Sequence, residues 1–430
     1  MKTLRMLMII NFFPPAGGGG VYRPLSFVKH FSRLAWEVTV VTPQPGEFWI
    51  SDPDLEAQVP EGVRVVRTPS LSGSRLLGGV RRGKGTGASR RSSRSFGLLR
   101  RAGELFLVPD TYRGWIPFAA RAAEELCRRE RFDVLYSTSP PDSSHLAALA
   151  IARRFGLPWV VDFRDPWINL YLRTPPTPVH GAVQRRLERS VVTSAAVVLA
   201  TTVSEEERLR RAYPQSRIIR LPNGYEEDDF LGLENEFPPE APFTVTHAGM
   251  LTLGRSAQPF LEGLVALKAR APEKVADMRV SFIGARESAN EESLRRLGLG
   301  DTVSFEDNLP HGAVVTRERR SHVLLLIKHD DERYRGLVPG KLYEYIGARR
   351  PILGVVSEGE AADIIRELDR GEWARIDDPA SIAIALERMY DRYRSGELEW
   401  RYSLEPVSRY TRRFEAEALE AHLRRMVSGQ

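Results

Sequence analysis

The chain has a single cysteine, Cys127, among its 430 residues, which excludes an internal disulfide and any zinc site built on cysteine pairs. Its eight histidines are scattered and fall at no metal-ligand spacing with the carboxylates. No apolar run reaches the ~18 residues needed to span a bilayer. The opening MKTLRMLMIINFFPP carries two early cations and an apolar run. Pro14 and Pro15 end that run, no small-residue cleavage pattern follows, and a glycine cluster comes next, so a buried strand is expected here rather than a secretory leader. A soluble or membrane-peripheral protein follows from these absences.

With 42% apolar and 27% charged residues, the composition is that of a globular protein, and the length suits two domains better than one core. The formal charge is +6, but the excess is local. Between Arg75 and Arg101 there are nine Lys or Arg and no Asp or Glu, so the rest of the chain sums to 6 minus 9, or −3. Nucleic-acid binding needs cations spread along the path of the phosphates, and no nucleic-acid partner is expected. The Gly-, Ser- and Arg-rich stretch of about 71–101 reads as a solvated insertion. Its alternative is a patch for anionic lipid, where each cation near the surface is worth about 1 kcal/mol, with the FGLL and ELFLVP runs supplying apolar surface.

Short β-rich runs alternate with helical patterns from end to end, the signature of parallel βαβ units. The expected strands of the first half are LRMLMIIN, EVTVVTP, DVLYSTS, WVVDF, AAVVLAT and RIIRLPN. After Asn223-Gly224 and an acidic run to Pro242, the pattern restarts with FTVTHAG, RVSFIG, TVSFED, HVLLLIKH, PILGVV and EWARID. Two Rossmann-like domains are expected, 1–222 and 223–407, with a charged amphipathic helix at 408–430. Ligands of such sheets bind at the carboxyl ends of the strands.

The stretch VPGKLYEYIGARRPIL (338–353) joins a Gly/Pro turn to a short helix with Lys341 and Glu344 three residues apart on one face, followed by a strand. An ammonium and a carboxylate on a helix whose N-terminus favours an anion suit the two ends of a nucleoside diphosphate. The alternative is a surface ion pair worth about 0.2–0.5 kcal/mol. At the other end of the chain, Gly17, Gly18, Gly19 and Gly20 follow a strand and open a helix, where backbone amides approach a ligand with no Cβ in the way. The dinucleotide fingerprint G-x-G-x-x-G does not fit, because position 22 is Tyr, and no acidic ribose partner follows EVTVVTP. Asp52 and Asp54 have D-x-D spacing but sit in a Pro-rich loop. The doublets Asp228-Asp229, Asp330-Asp331 and Asp377-Asp378 read as caps or loop residues. Asp142 and Ser143, in SPPDSSH, read as helix caps.

The Gly-rich turn, VVDFRDPW, the LPNG element, HAGML with Arg255, and PGKLYEYIGARRPIL together resemble the retaining glycosyltransferases of family 4, nearly end to end. The resemblance implies the α/β GT-B fold, with two Rossmann-like domains facing across a cleft and the C-terminal helix crossing back to the first domain. It implies transfer of a sugar from a nucleotide-sugar donor to a hydroxyl of a glycan or lipid-linked glycan, with retention and without a metal, in cell-surface polysaccharide biosynthesis. No cofactor is expected, the nucleotide sugar being a substrate. The donor site would comprise Gly17, Gly18, Gly19, Gly20, Asn223, Gly249, Arg255, Lys341, Leu342 and Glu344, with Arg255 and Lys341 on the diphosphate and Glu344 on the ribose. Asp165, Arg255 and Lys341 would take part in catalysis, and Asp162, Arg164, Asp110 and Trp115 in holding the acceptor. Arg164 as an ion-pair partner of the neighbouring aspartates, and Trp115 as core packing, are the alternatives.

The chain departs from the family at Gly336, where many members carry a second glutamate eight residues before the counterpart of Glu344. Backbone amides of 333–338 would then approach the sugar. The expected location is cytoplasmic, with a peripheral contact on the inner face of an anionic membrane. A GT-B nucleotide-sugar epimerase and a non-catalytic membrane or nucleic-acid binder acting through the Arg-rich insertion are the competing functions.

Overall fold

The computed structural model describes residues 3–45, 51–71, 108–168, 175–252, 254–399 and 401–428. The basic insertion lies outside the described residues from 72 onward, as do the FGLL run and the ELFL of ELFLVP beside it. The chain forms two compact units, Met1–Pro222 together with Glu415–Gln430, and Asn223–Phe414.

Among the described residues, the first unit is built on seven strands: β1 (Leu4–Ile9), β2 (Trp36–Pro43), β3 (Arg64–Thr68), β4 (Val134–Ser139), β5 (Trp159–Phe163), β6 (Val197–Ala200) and β7 (Ile218–Arg220). Their order is β3-β2-β1-β4-β5-β6-β7, and every neighbouring pair is parallel. Helices cover both faces, so the central strands are apolar throughout rather than alternating. In β1, Leu4, Met6 and Met8 enter one core cluster while Leu7 and Ile9 enter the other. The helix Gly19–Arg33 supplies Val21, Leu25, Val28 and Phe31 to the first of these.

The C-terminal helix, Arg412–Ser428, adds Ala416, Leu419 and Leu423 to the same cluster. Full burial of each leucine is worth about 1.5–3 kcal/mol. Glu420 accepts the Trp36 indole N–H at 3.4 Å, and Arg424 donates to the Leu34 carbonyl at 3.0 Å. The last segment is therefore an integral part of the first unit.

Among its described residues, the second unit has six parallel strands: β8 (Phe243–Ala248), β9 (Met278–Ile283), β10 (Val303–Glu306), β11 (Val323–Ile327), β12 (Ile352–Val355) and β13 (Gly371–Ala374), ordered β10-β9-β8-β11-β12-β13. Strand order reverses between β1 and β4 in one sheet and between β8 and β11 in the other. Each reversal opens a crevice at the carboxyl ends of the strands.

Strand β3 has no counterpart in the sequence expectation, because VRVVRT alternates cations with valines at the sheet edge and no long apolar run marks it. The helix His311–Arg319 was likewise unexpected. Its apolar residues, Ala313, Val314 and Val315, are consecutive rather than spaced by a helical turn.

Candidate active site

In the second unit, the loop after β11 leads through a 3-10 turn at Glu332–Tyr334 to Pro339, which precedes the helix Gly340–Gly347. Leu342, Tyr343, Tyr345 and Ile346 are buried against the sheet, so the remaining face carries Lys341 and Glu344. The Lys341 ammonium is 2.6 Å from one Glu344 oxygen and 3.3 Å from Glu318 Oε1. The side chains are 31%, 18% and 0% exposed, for Lys341, Glu344 and Glu318 respectively. Burial alone would lower the Lys341 pKa, but the Glu318 and Glu344 carboxyls outweigh it and hold the amine well above its ordinary value. Glu344 is held below the usual carboxylate range, since Lys341 and His311 override its burial. Glu318 is pushed well up by its own burial and by the Glu344 charge.

His311 closes one side of this group, its Nε2 lying 2.9 Å from Asp229 Oδ2. On the other side, Tyr345 accepts the Ala248 N–H at 3.0 Å and donates to the Leu325 carbonyl at 3.4 Å. The helix is thus fastened to the end of β8 and the middle of β11. His247, the penultimate residue of β8, is hydrogen-bonded through Nδ1 to the same carbonyl at 2.9 Å. Burial takes its pKa down to about 4, with Arg255 and Lys341 pushing it further in that direction. The imidazole is therefore neutral, with the proton on Nδ1 and an unpartnered Nε2. A Cβ at Gly249 would come to 3.3 Å from that Nε2, and one at Gly284 to 2.5 Å from the Gly249 carbonyl. Glycine at both positions lets these two loops close over the strand ends.

Arg255 follows in the next loop. Its Nε is buried without a hydrogen-bond partner, its pKa is lowered chiefly by burial, and among the described residues no carboxylate pairs with it. Buried charges are ordinarily paired or ligand-bound. Arg255 and Lys341 both act on His247, so the strand ends carry two cations, one of them uncompensated. Gly249, Arg255, Lys341, Leu342 and Glu344 come together here, although Leu342 is fully buried. Asn223 is part-buried at the first position of the unit. A separate depression of about 420 Å³ lies beside the ends of β9 and β10, lined by Ala285, Arg286, Ser288, Glu291, Asp307 and Asn308. Its cation, Arg286, is already paired with Glu291 and Asp307.

In the first unit, Gly18 takes a positive φ of 90° at the start of the helix Gly19–Arg33. Arg164, just beyond β5, donates to the carbonyls of Gly20 at 2.5 Å, Pro140 at 2.5 Å and Ser139 at 3.0 Å. A Cβ at Gly20 would press on its guanidinium at 3.2 Å. One side chain therefore ties the loops that follow β1, β4 and β5. Asp165 is part-buried next to it and acts on it electrostatically.

The other expected acceptor residues lie elsewhere. Asp162 is fully buried, and its oxygens are taken by Arg23, Tyr136 and Thr138. None of it is presented to an acceptor. Trp115 is fully buried in the core and donates its indole N–H to Thr68 at 2.8 Å. Asp110 caps a helix: its carboxylate accepts the Ser143 N–H at 2.9 Å, the Ser143 hydroxyl at 2.7 Å and the Tyr112 N–H at 2.8 Å. Asp142 occupies the N-cap position of that helix but makes no capping bond, so Asp110 supplies the cap that the sequence assigned to Asp142 and Ser143. Each acidic doublet is engaged, Asp378 capping its helix, Asp331 holding Arg333 two residues on, and Asp229 meeting His311 from 82 residues away. Among the described residues, no group of three or more His, Cys, Asp or Glu is arranged to hold a metal ion, and no helix is long and apolar enough to cross a membrane.

Residues 17–224 match the family model of the glycosyl transferase 4-like domain. No curated protein matches the chain. Solved structures of similar fold include sucrose-phosphate synthase from Thermosynechococcus elongatus, with a TM-score of 0.64 and 15% identity over 99% of this chain and 100% of that one. A glycosyltransferase from Rickettsia africae gives 0.65 and 10% over 99% of each chain. HepE from Anabaena, solved in complex with UDP and glucose, gives 0.62 and 11% over 98% of this chain and 99% of that one. At these identities the likeness is one of fold.

Proposed function

We propose, since residues 17–224 match the family model of the glycosyl transferase 4-like domain and the chain has the GT-B fold, that this protein transfers a sugar from a nucleoside-diphosphate sugar to a hydroxyl of a glycan or lipid-linked glycan. The reaction proceeds with retention and without a metal or other cofactor, in cell-surface polysaccharide assembly at the inner face of a membrane. The observation that carries the reading is Arg255, a cation with a buried, unpartnered Nε close to the part-exposed Lys341. A diphosphate supplies the negative charge that the protein leaves out.

In this scheme Arg255 and Lys341 hold the diphosphate and stabilise the charge that grows on it as the glycosidic bond breaks. Glu344, kept ionised by Lys341 and His311, accepts hydrogen bonds from the ribose. The departing diphosphate oxygen takes the acceptor proton on the face it leaves, so no separate strong base is needed. Arg164 keeps the loops around Gly20, Pro140 and Asp165 in register for the acceptor. Incubation with UDP-, GDP-, ADP- and dTDP-sugars in the presence of chelator, with NMR of the product, tests the scheme. Release of nucleoside diphosphate and an unchanged anomeric configuration are expected. Conversion of the donor to its epimer without an acceptor would instead mark an epimerase.

A further inference from the structure

Three ionisable side chains meet at the candidate donor site, and the innermost, Glu318, belongs to neither the nucleotide nor the acceptor contacts proposed above. It is the penultimate residue of the helix His311–Arg319 and is fully buried. Its Oε1 is 3.3 Å from the Lys341 ammonium. Its Oε2 is buried, and among the described residues no N–H or hydroxyl group donates to it. Its carboxyl is also within hydrogen-bonding reach of Glu344. Two carboxylates and one ammonium in this space do not all stay charged, because like charges so close raise the pKa of one of them.

The surroundings decide which carboxyl keeps the proton. Glu344 has water access, and the Lys341 ammonium and the His311 ring, the latter backed by Asp229, both favour its charged form. Glu318 is sealed from solvent, and the other titratable group acting across it is the Tyr345 phenol, itself held neutral by burial. A carboxylic O–H on Oε2 gives that buried atom a hydrogen-bonding role and gives Glu344 a donor from beneath.

We propose that Glu318 is a positioning residue of the donor site: a neutral carboxylic acid that donates a hydrogen bond to Glu344 and, through Oε1, steadies Lys341 under the bound nucleotide. This rests on the reading of that site as a nucleoside-diphosphate site. With Glu318 neutral, Arg255, Lys341 and Glu344 sum to one positive charge. With Glu318 ionised they would sum to zero, and the attraction for a diphosphate would fall.

The test compares wild type with Glu318→Gln and Glu318→Ala, using calorimetry against UDP, GDP, ADP and dTDP at several pH values and infrared difference spectra at pH 7. Glu318→Gln, which keeps a neutral donor, is expected to bind the preferred nucleotide within about twofold of wild type and to lose the weakening at alkaline pH. Glu318→Ala is expected to bind about tenfold more weakly, the cost of one hydrogen bond to a charged group. The carbonyl band of a protonated carboxylic acid should be present in wild type and absent from Glu318→Gln. Equal losses in the two variants, full affinity in Glu318→Ala, or no such band in wild type would each overturn the proposal. The band reports on Glu318 without any ligand, so a wild type that binds no nucleotide overturns the donor-site reading while the spectrum still decides the protonation of Glu318.

Discussion

Arg23 grips Asp162 with two nitrogens, Nε to Oδ2 at 3.0 Å and Nη2 to Oδ1 at 3.2 Å, with both side chains sealed from solvent. The same guanidinium reaches Glu415 at 3.0 Å and the carbonyls of Leu221 and Pro222 at 3.1 Å each. Burial alone would lower the Arg23 pKa, but Asp162 and Glu415 raise it above the ordinary guanidinium value. The first unit ends at Pro222 and resumes at Glu415, so one arginine holds both points at which the chain leaves and re-enters it.

Removing one partner of such a pair strands a buried charge. Asp162→Ala should therefore destabilise the first unit by about 3–5 kcal/mol, measured by urea denaturation. An Asp162 that worked on the acceptor would instead lose turnover with stability intact, and that result would return it to the reaction.

Arg255 predicts the opposite balance. Its part-buried guanidinium, with Nε sealed, has no carboxylate partner among the described residues, so replacing it with Met removes a partly desolvated charge at little cost in packing. Without ligand, Arg255→Met should melt at or above the wild-type temperature, while nucleotide binding falls. A substantial drop in melting temperature would show that the arginine is structural.

Burial takes both His247 and His322 from an ordinary 6.5 to about 4. Between these values the unfolded chain takes up protons that the folded chain does not, so stability falls as pH drops through that window. The slope is up to about 1.4 kcal/mol per pH unit for each ring. His311, whose pKa is raised with Asp229 as partner, changes its contribution above that window, its stabilising effect being lost as pH rises through the raised value. Denaturation of the second unit from pH 4 to 7 should show a shallower pH slope in His322→Gln than in wild type. Identical slopes would mean that the ring is not held neutral.

Much of the fold was legible because burial on both faces forces continuous apolar strands. LRMLMI and VLLLI stand out for that reason, and the core takes in all of them except Arg5. Of the candidate site, Lys341 and Glu344 stood out from their spacing on a short helix after a Gly/Pro turn, and Arg255 through the family resemblance alone. Glu318 did not, since RERRSH reads as a solvated charge run and only packing beneath Gly340–Gly347 buries it. Asp162 looked like a strand-end carboxylate facing solvent, because its partner Arg23 lies 139 residues earlier. Asp110 capping Ser143 spans 33 residues, beyond any local capping signal.

Isothermal titration with UDP, GDP, ADP and dTDP in chelator, on wild type, Arg255→Met and Lys341→Ala, tests most directly whether the second unit holds a diphosphate between these two cations. One nucleotide should bind wild type, with each variant weaker by about tenfold or more, as expected for losing a charge-assisted contact. A folded wild type that binds none of them, or variants that bind as well as wild type, would contradict it.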